Sequence, residues 1–162
     1  MPIENAESFQ IIHYDICQEY RNHYDSWIHD GSDKTLRCMK RGGARIMTAL
    51  CYLNDVDCGG GTKMAKQNKI IDAKKGRLLV FENTYKNTNI RHPLSLHAGM
   101  PVIKGEKFAF NLWFRECKSD MLYSDFNPNY YEKNNKKNLE LESKMEPACI
   151  NISKNIKNES VD

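Results

Sequence analysis

The sequence is short of several features that would place a protein quickly. No run approaches the ~18 apolar residues of a membrane-spanning helix, so no membrane partner is expected. The six cysteines (Cys17, Cys38, Cys51, Cys58, Cys117, Cys149) include no CxxC pair. That leaves zinc-ribbon and thioredoxin readings unsupported. We read the cysteines as reduced thiols, with Cys51 as a core residue of an apolar strand. Charge of one sign is also scarce: the net charge is +3, which forces neither a nucleic-acid nor a membrane partner. The opening residues, MPIENAESFQ, lack the basic start, apolar core and small-residue cleavage site of a signal peptide. A cytosolic location is the expectation, with the endoplasmic reticulum lumen an alternative only if an N-terminal segment is missing. Long helical patterns and internal repeats are absent too, which argues against an all-helical or solenoid fold.

What remains is an ordinary globule followed by a polar tail. Apolar residues make up 40% of the 162 residues and aromatics 10%, enough for one domain with a core. Asn and Lys supply 15 of the 45 residues from Lys118 to Asp162. This tail buries little surface, so we expect residues 118–162 to be mostly disordered, with a short helix near Asn138–Met145. Residues 1–117 form the domain. Its apolar runs read as eight strands: Ser8–Asp15, Glu19–Tyr24, Arg45–Asn54, Gly60–Ala65, Lys69–Asp72, Arg77–Glu82, Leu94–Val102 and Lys107–Arg115. Gly, Asn, Asp and Lys break the chain between them, and His29–Gly43 reads as a polar loop. Many short strands and few helices predict a mainly β fold, a double-stranded β-helix or jelly roll.

The chemistry starts from the histidines. Two of the five open the same tripeptide, His13-Tyr14-Asp15 and His23-Tyr24-Asp25. Residues i and i+2 at a strand end point to one side, so imidazole and carboxylate can grip one ion. With a remote histidine they make a two-histidine, one-carboxylate triad, which leaves open positions on Fe(II). A His-x-Asp alone is weak, and a structural histidine is the commoner reason for one. The first copy lies within an apolar strand and reads as structural. The second leads into a polar loop, where sites are built. His97 is the remote partner. His29 and His92 read as loop histidines.

Several segments, in order, are similar to the catalytic domain of the prolyl 4-hydroxylases, members of the Fe(II)- and 2-oxoglutarate-dependent dioxygenases. Tyr14, Tyr20, His23 and Asp25 fit that family's Y-x5-Y-x2-H-x-D pattern. Gly42 to Arg45 with Thr48 to Asn54 resembles its central strand, Gly59-Gly60-Gly61-Thr62 its GGET turn, and Lys75 to Phe81 the next strand. Ser95 to Gly99, Pro101-Val102 and Gly105 to Trp113 complete the pattern, from Pro2 to Glu116. In place of the family's first-turn glycine stands Cys17. The family carries further helices and strands before its first core strand. Here the resemblance begins at that strand, so one outer sheet face is expected to lie bare.

The resemblance implies the roles. His23, Asp25 and His97 would be the metal ligands and the catalytic centre. Lys107 would pair with the distal carboxylate of 2-oxoglutarate, a charge-assisted contact, with Tyr14 and Thr62 adding hydroxyls and Trp113 walling the pocket. Tyr20 and Arg45 would face the substrate. The cofactors are Fe(II), 2-oxoglutarate and L-ascorbate as reductant. O2 and a proline-containing peptide are the reactants, and succinate, CO2 and 4-hydroxyproline the products. Competing readings are the same chemistry on another side chain, a free amino acid or a nucleic-acid base, or an N-terminally truncated, inactive binding domain. A nucleic-acid partner is disfavoured by the modest charge, and no oligomeric state is implied.

Overall fold

Alternation of apolar and polar residues organises the strands into two facing sheets. The computed structural model describes residues 1–28 and 30–119. The first sheet is built from β1 (Gln10–Tyr14), β3 (Arg45–Tyr52), β7 (Leu78–Glu82) and β10 (Lys107–Arg115), in the order β1-β10-β3-β7. The second comprises β2 (Tyr20–His23), β5 (Thr62–Met64), β6 (Lys69–Ile71) and β8 (His97–Gly99), in the order β2-β8-β5-β6. A short ladder of β4 (Cys58–Gly59) and β9 (Val102–Lys104) joins one end. The named ladders are all antiparallel. This is the jelly-roll arrangement expected from the strand pattern.

Period-2 geometry sends alternate side chains of β3 and β10 inward. On β3, Thr48, Leu50 and Tyr52 are buried; on β10, Lys107, Ala109, Trp113 and Arg115 are buried. The apolar core is small: Leu50, Tyr52, Val56, Ala73, Val102 and Ala109, with Ile12, Tyr14 and Ile71 packed on it. It sits at the Lys107 end of the sheets, and many other buried residues are polar or charged, among them Asp25, Thr48, Asn83, His97 and Arg115. The opposite face of the first sheet carries Ile11, Leu78 and Val80, each about half exposed or more, beside partly buried Phe110 and Leu112. Among the described residues no helix is long and apolar enough to cross a membrane.

The described residues form ten short strands. Three expectations need correction. The stretch read as Leu94–Val102 is a 3-10 turn at Pro93–Ser95 followed by two strands, β8 and β9. Pro101 has no N–H to continue a ladder, so the pairing changes there. Gly59 and Gly60 adopt positive φ and turn the chain between β4, which was not expected, and β5, which lies within Gly60–Ala65. The loop His29–Gly43 contains a helix, α1 (Asp33–Met39), capped by Ser32, whose Oγ accepts from Thr35 N–H. Its single buried residue is Thr35, so it shows no apolar stripe.

Cys51 points to the outer face of β3 and is only partly buried, since its neighbours Leu50 and Tyr52 hold the inward positions. The five cysteines among the described residues form no disulfide. Cys17 stands at φ 71°, a glycine-like conformation in the turn between β1 and β2. The tail from residue 120, its expected helix, Cys149 and His29 lie outside the described residues.

Candidate active site

The second sheet brings the two histidines together by register. His23, the last residue of β2, is the cross-strand partner of His97, the first of β8. Their ring centroids are 4.2 Å apart. Asp25 follows β2 at once and is buried. His23 Nε2 lies 3.6 Å from Asp25 Oδ1, and His97 Nε2 lies 3.8 Å from Asp25 Oδ2. These separations are too long for hydrogen bonds. An ion with bonds of about 2 Å to each atom fits between them.

The protonation pattern suits that use. The Nδ1 atoms of His23 and His97 lie 2.8 Å from the carbonyl oxygens of Arg21 and Ser95 respectively. A carbonyl only accepts, so each Nδ1 carries the hydrogen and each Nε2 presents a lone pair in the neutral ring. Burial pushes the His23 imidazole below its ordinary pKa. The His97 ring adds to this, against the opposing pull of the Arg21 carbonyl and Asp25. A neutral ring is what a metal requires.

Lys107 opens β10 opposite Tyr14. It is 1% exposed, and among the described residues no carboxylate pairs with it. Its Nζ lies 5.2 and 5.3 Å from the ring centroids of Tyr14 and Tyr52. Desolvation lowers its pKa to about 8. An unpaired buried ammonium is costly, and an anionic ligand would relieve the cost. The Tyr52 hydroxyl, 2.6 Å from Thr62 Oγ1, ties Thr62 to the same end. Burial raises the pKa of both Tyr14 and Tyr52, so both keep their hydroxyl hydrogen.

All nine residues assigned from the sequence line one cavity of about 730 Å³. Ser26 also lines it, and among the described residues neither Ser26 Oγ nor Trp113 Nε1, both buried, has a hydrogen-bond partner. Tyr20 is more than half exposed and packs tilted against the His23 ring, with centroids 3.9 Å apart. Arg45 lines the cavity, and two of its N–H groups are already engaged. Its Nε and Nη2 donate to Glu7 at 2.6 and 2.8 Å, and its guanidinium lies 3.6 Å from the Trp113 ring centroid. Glu7 Oε1 also accepts from Arg115 Nε at 2.7 Å.

Sequence reasoning missed Glu7, Trp27, Tyr52, Thr48 and Asn83. The i, i+2, i+4 spacing of Thr48, Leu50 and Tyr52 could have flagged the inward face of β3. Glu7 precedes the first strand and carries no local signal. The first His-x-Asp copy is elsewhere: His13, Asp15 and Glu106 also gather their ligand-type atoms within 4.8 Å, but all three are exposed.

With this geometry in place, comparison is informative. The family model described as the 2OG-Fe(II) oxygenase superfamily matches residues 9–115. The chain belongs to this superfamily. It is 45% identical over 118 residues to a provisionally named prolyl 4-hydroxylase of Acanthamoeba polyphaga mimivirus, covering 73% of this chain and 48% of that protein. It is 35% identical over 133 residues to prolyl 4-hydroxylase 5 of Arabidopsis thaliana, covering 70% and 43%. This oxygenase chain therefore spans about half the length of the curated relatives it matches. Its fold is similar to that of a viral collagen prolyl hydroxylase from Paramecium Bursaria Chlorella virus-1 solved as a 2OG complex. The TM-score is 0.61 at 31% identity, covering 70% of this chain and 61% of that one.

Proposed function

We propose that this oxygenase domain hydroxylates peptidyl proline to 4-hydroxyproline, consuming 2-oxoglutarate and O2 and releasing succinate and CO2. The observation that carries the reading is the pairing, in one cavity, of a His23–Asp25–His97 cluster, with Asp25 and His97 buried and His23 partly so, and a buried Lys107 that no carboxylate among the described residues pairs. The relatives named as prolyl hydroxylases support proline as the target.

His23 Nε2, His97 Nε2 and one Asp25 oxygen would hold Fe(II), as their donor chemistry and spacing allow. Bound there, Fe(II) with 2-oxoglutarate supplies oxidative decarboxylation, which puts one atom of O2 into the substrate C–H bond and the other into succinate. The protein's own residues orient and enclose the reactants. Lys107 neutralises the distal carboxylate, and the Tyr14 and Thr62 hydroxyls add hydrogen bonds to it. Trp113 walls the cavity. Tyr20, exposed beside His23, would meet the peptide. Arg45, held by Glu7 and Trp113, would reach it with a guanidinium whose orientation is fixed in advance. Ascorbate would return oxidised iron to Fe(II) after uncoupled cycles.

The test is succinate release with Fe(II), ascorbate and 2-oxoglutarate, with and without proline-rich peptides, read beside peptide mass. Peptide-stimulated succinate with a gain of about 16 Da on proline is the expected result. Succinate that does not respond to such peptides would move the substrate to another class. Folded, iron-loaded protein without turnover would contradict the reading.

A further inference from the structure

The interior around the metal cluster contains a feature that the ligand assignment does not use. Asp25 lies just beyond β2 of the second sheet, yet its nearest polar contact comes from the first. Thr48 Oγ1, on β3, donates to Asp25 Oδ2 at 2.6 Å. Asn83 Nδ2, just after β7, donates to Thr48 Oγ1 at 2.7 Å. All three residues are buried, Thr48 at 1% exposure and Asn83 at 0%.

The hydrogens can run only one way. An ionised carboxylate accepts only, so the Thr48 hydroxyl gives its single hydrogen to Asp25. Its lone pairs then face Asn83, which must offer its amide N–H₂. Asn83 Oδ1 is left without a partner, in keeping with that orientation. The backbone fixes Asn83 in turn, through Asn83 N–H to the Ile46 carbonyl and His92 N–H to the Asn83 carbonyl, both 2.8 Å. The result is a buried chain of donors from one sheet to the carboxylate on the other. It occupies Oδ2 and leaves Oδ1, the oxygen nearer His23.

We propose that Thr48 and Asn83 form a positioning relay that holds the Asp25 carboxylate ready for the metal and sets the affinity of the site. The proposal rests on the iron-site reading above. Outer partners of metal ligands commonly change affinity by about 10- to 100-fold when removed. Thr48 acts directly on the carboxylate. Asn83 acts by orienting the Thr48 hydroxyl, so its loss has the smaller effect.

Co(II) is a suitable probe, because its visible absorption reports the ligand set without any turnover. The full chain is titrated with Co(II) and followed by absorption and calorimetry, with circular dichroism and a thermal melt to monitor folding. Thr48→Val is expected to weaken Co(II) binding about 10-fold or more and to alter the spectrum, while Thr48→Ser, which keeps the hydroxyl, restores both. Asn83→Leu is expected to fall between Thr48→Val and wild type. Thr48→Val strands the Asn83 donor in the interior, so the double variant Thr48→Val/Asn83→Leu removes both polar groups and serves if the single variant does not fold. Wild-type affinity and spectrum in a folded Thr48→Val or double variant would overturn the relay. His97→Ala distinguishes the two levels. If it abolishes Co(II) binding while folded Thr48→Val binds as wild type, the relay alone is wrong; if His97→Ala too binds as wild type, the metal site is wrong and the relay falls with it.

Discussion

The tripeptide His-Tyr-Asp occurs twice in this chain, ten residues apart, and the two copies have different surroundings. At the first, His13 stacks flat on Phe108 with centroids 4.4 Å apart. It offers Nε2 to the exposed carboxylates of Glu106 at 3.1 Å and Asp15 at 3.6 Å. At the second, His23 has Nδ1 fixed by a backbone carbonyl, a second imidazole beside it, and an Asp25 carboxylate held from behind by Thr48. The spacing is the same and the chemistry is not. A surface His with two carboxylates is satisfied by water and by an ion pair worth little. A largely buried cluster whose ligand atoms sit 3.6 to 3.8 Å apart has the spacing and donor set that a cation would fit.

The sharpest way to break this comparison is to delete a histidine from each copy. His23→Ala should abolish succinate formation and metal binding in a protein that still folds. His13→Ala belongs at the other end of the scale and is treated last.

Next in size is Lys107, which distinguishes the second site by giving it an anion-binding end. Lys107→Ala should raise the half-saturating 2-oxoglutarate concentration by about 10- to 100-fold, the weight of one buried charge-assisted pair. The pH dependence follows from its lowered pKa. Below about 8 the free enzyme already carries the charged amine, so affinity is flat. Above it, binding must take up a proton, and affinity should fall by up to about tenfold per pH unit. Titrations from neutral pH upward would show this slope in wild type and its absence in Lys107→Ala. The ligand-free fold should behave in the opposite sense. The unfolded chain holds the Lys107 proton up to about 10.4 and the folded chain releases it lower, so stability contributed by this group rises with pH across that window.

A smaller effect lies in the turn between the two copies. Cys17 occupies the left-handed region at φ 71°, where a side chain costs about 1–2 kcal/mol. Cys17→Gly should stabilise the domain by about 1 kcal/mol, read as a shift of the denaturant midpoint at constant slope. The smallest effect is that of His13→Ala. It should change stability by less than about 1 kcal/mol and leave turnover unaltered.

The same contrast explains what was legible in the sequence. The long inner strands β3 and β10 announce themselves by alternation, and Lys107 and Trp113 come with the second of these. The gathering of His23 and Asp25 with His97 was also readable, since the second copy leads from a strand into a loop. What escaped has no local signature. Thr48 and Asn83 matter to Asp25 only because β3 and β7 pair across the facing sheet. Glu7 matters because two arginines, Arg45 and Arg115, converge on it from strands far along the chain. Arg45 illustrates the limit most clearly. As a strand-start residue it could be solvated or substrate-facing, and the structure adds a third element, a bidentate pair with Glu7. Helix α1 was missed because it is stabilised by a Ser32 cap rather than by an apolar face.

The account depends most on which of the two copies holds the ion. Anaerobic Fe(II) titration of wild type, His13→Ala and His97→Ala, with bound metal counted per chain, tests this most directly. The expected result is one equivalent of tightly bound iron in wild type and His13→Ala, and none in His97→Ala. Loss of the ion in His13→Ala with retention in His97→Ala would contradict it.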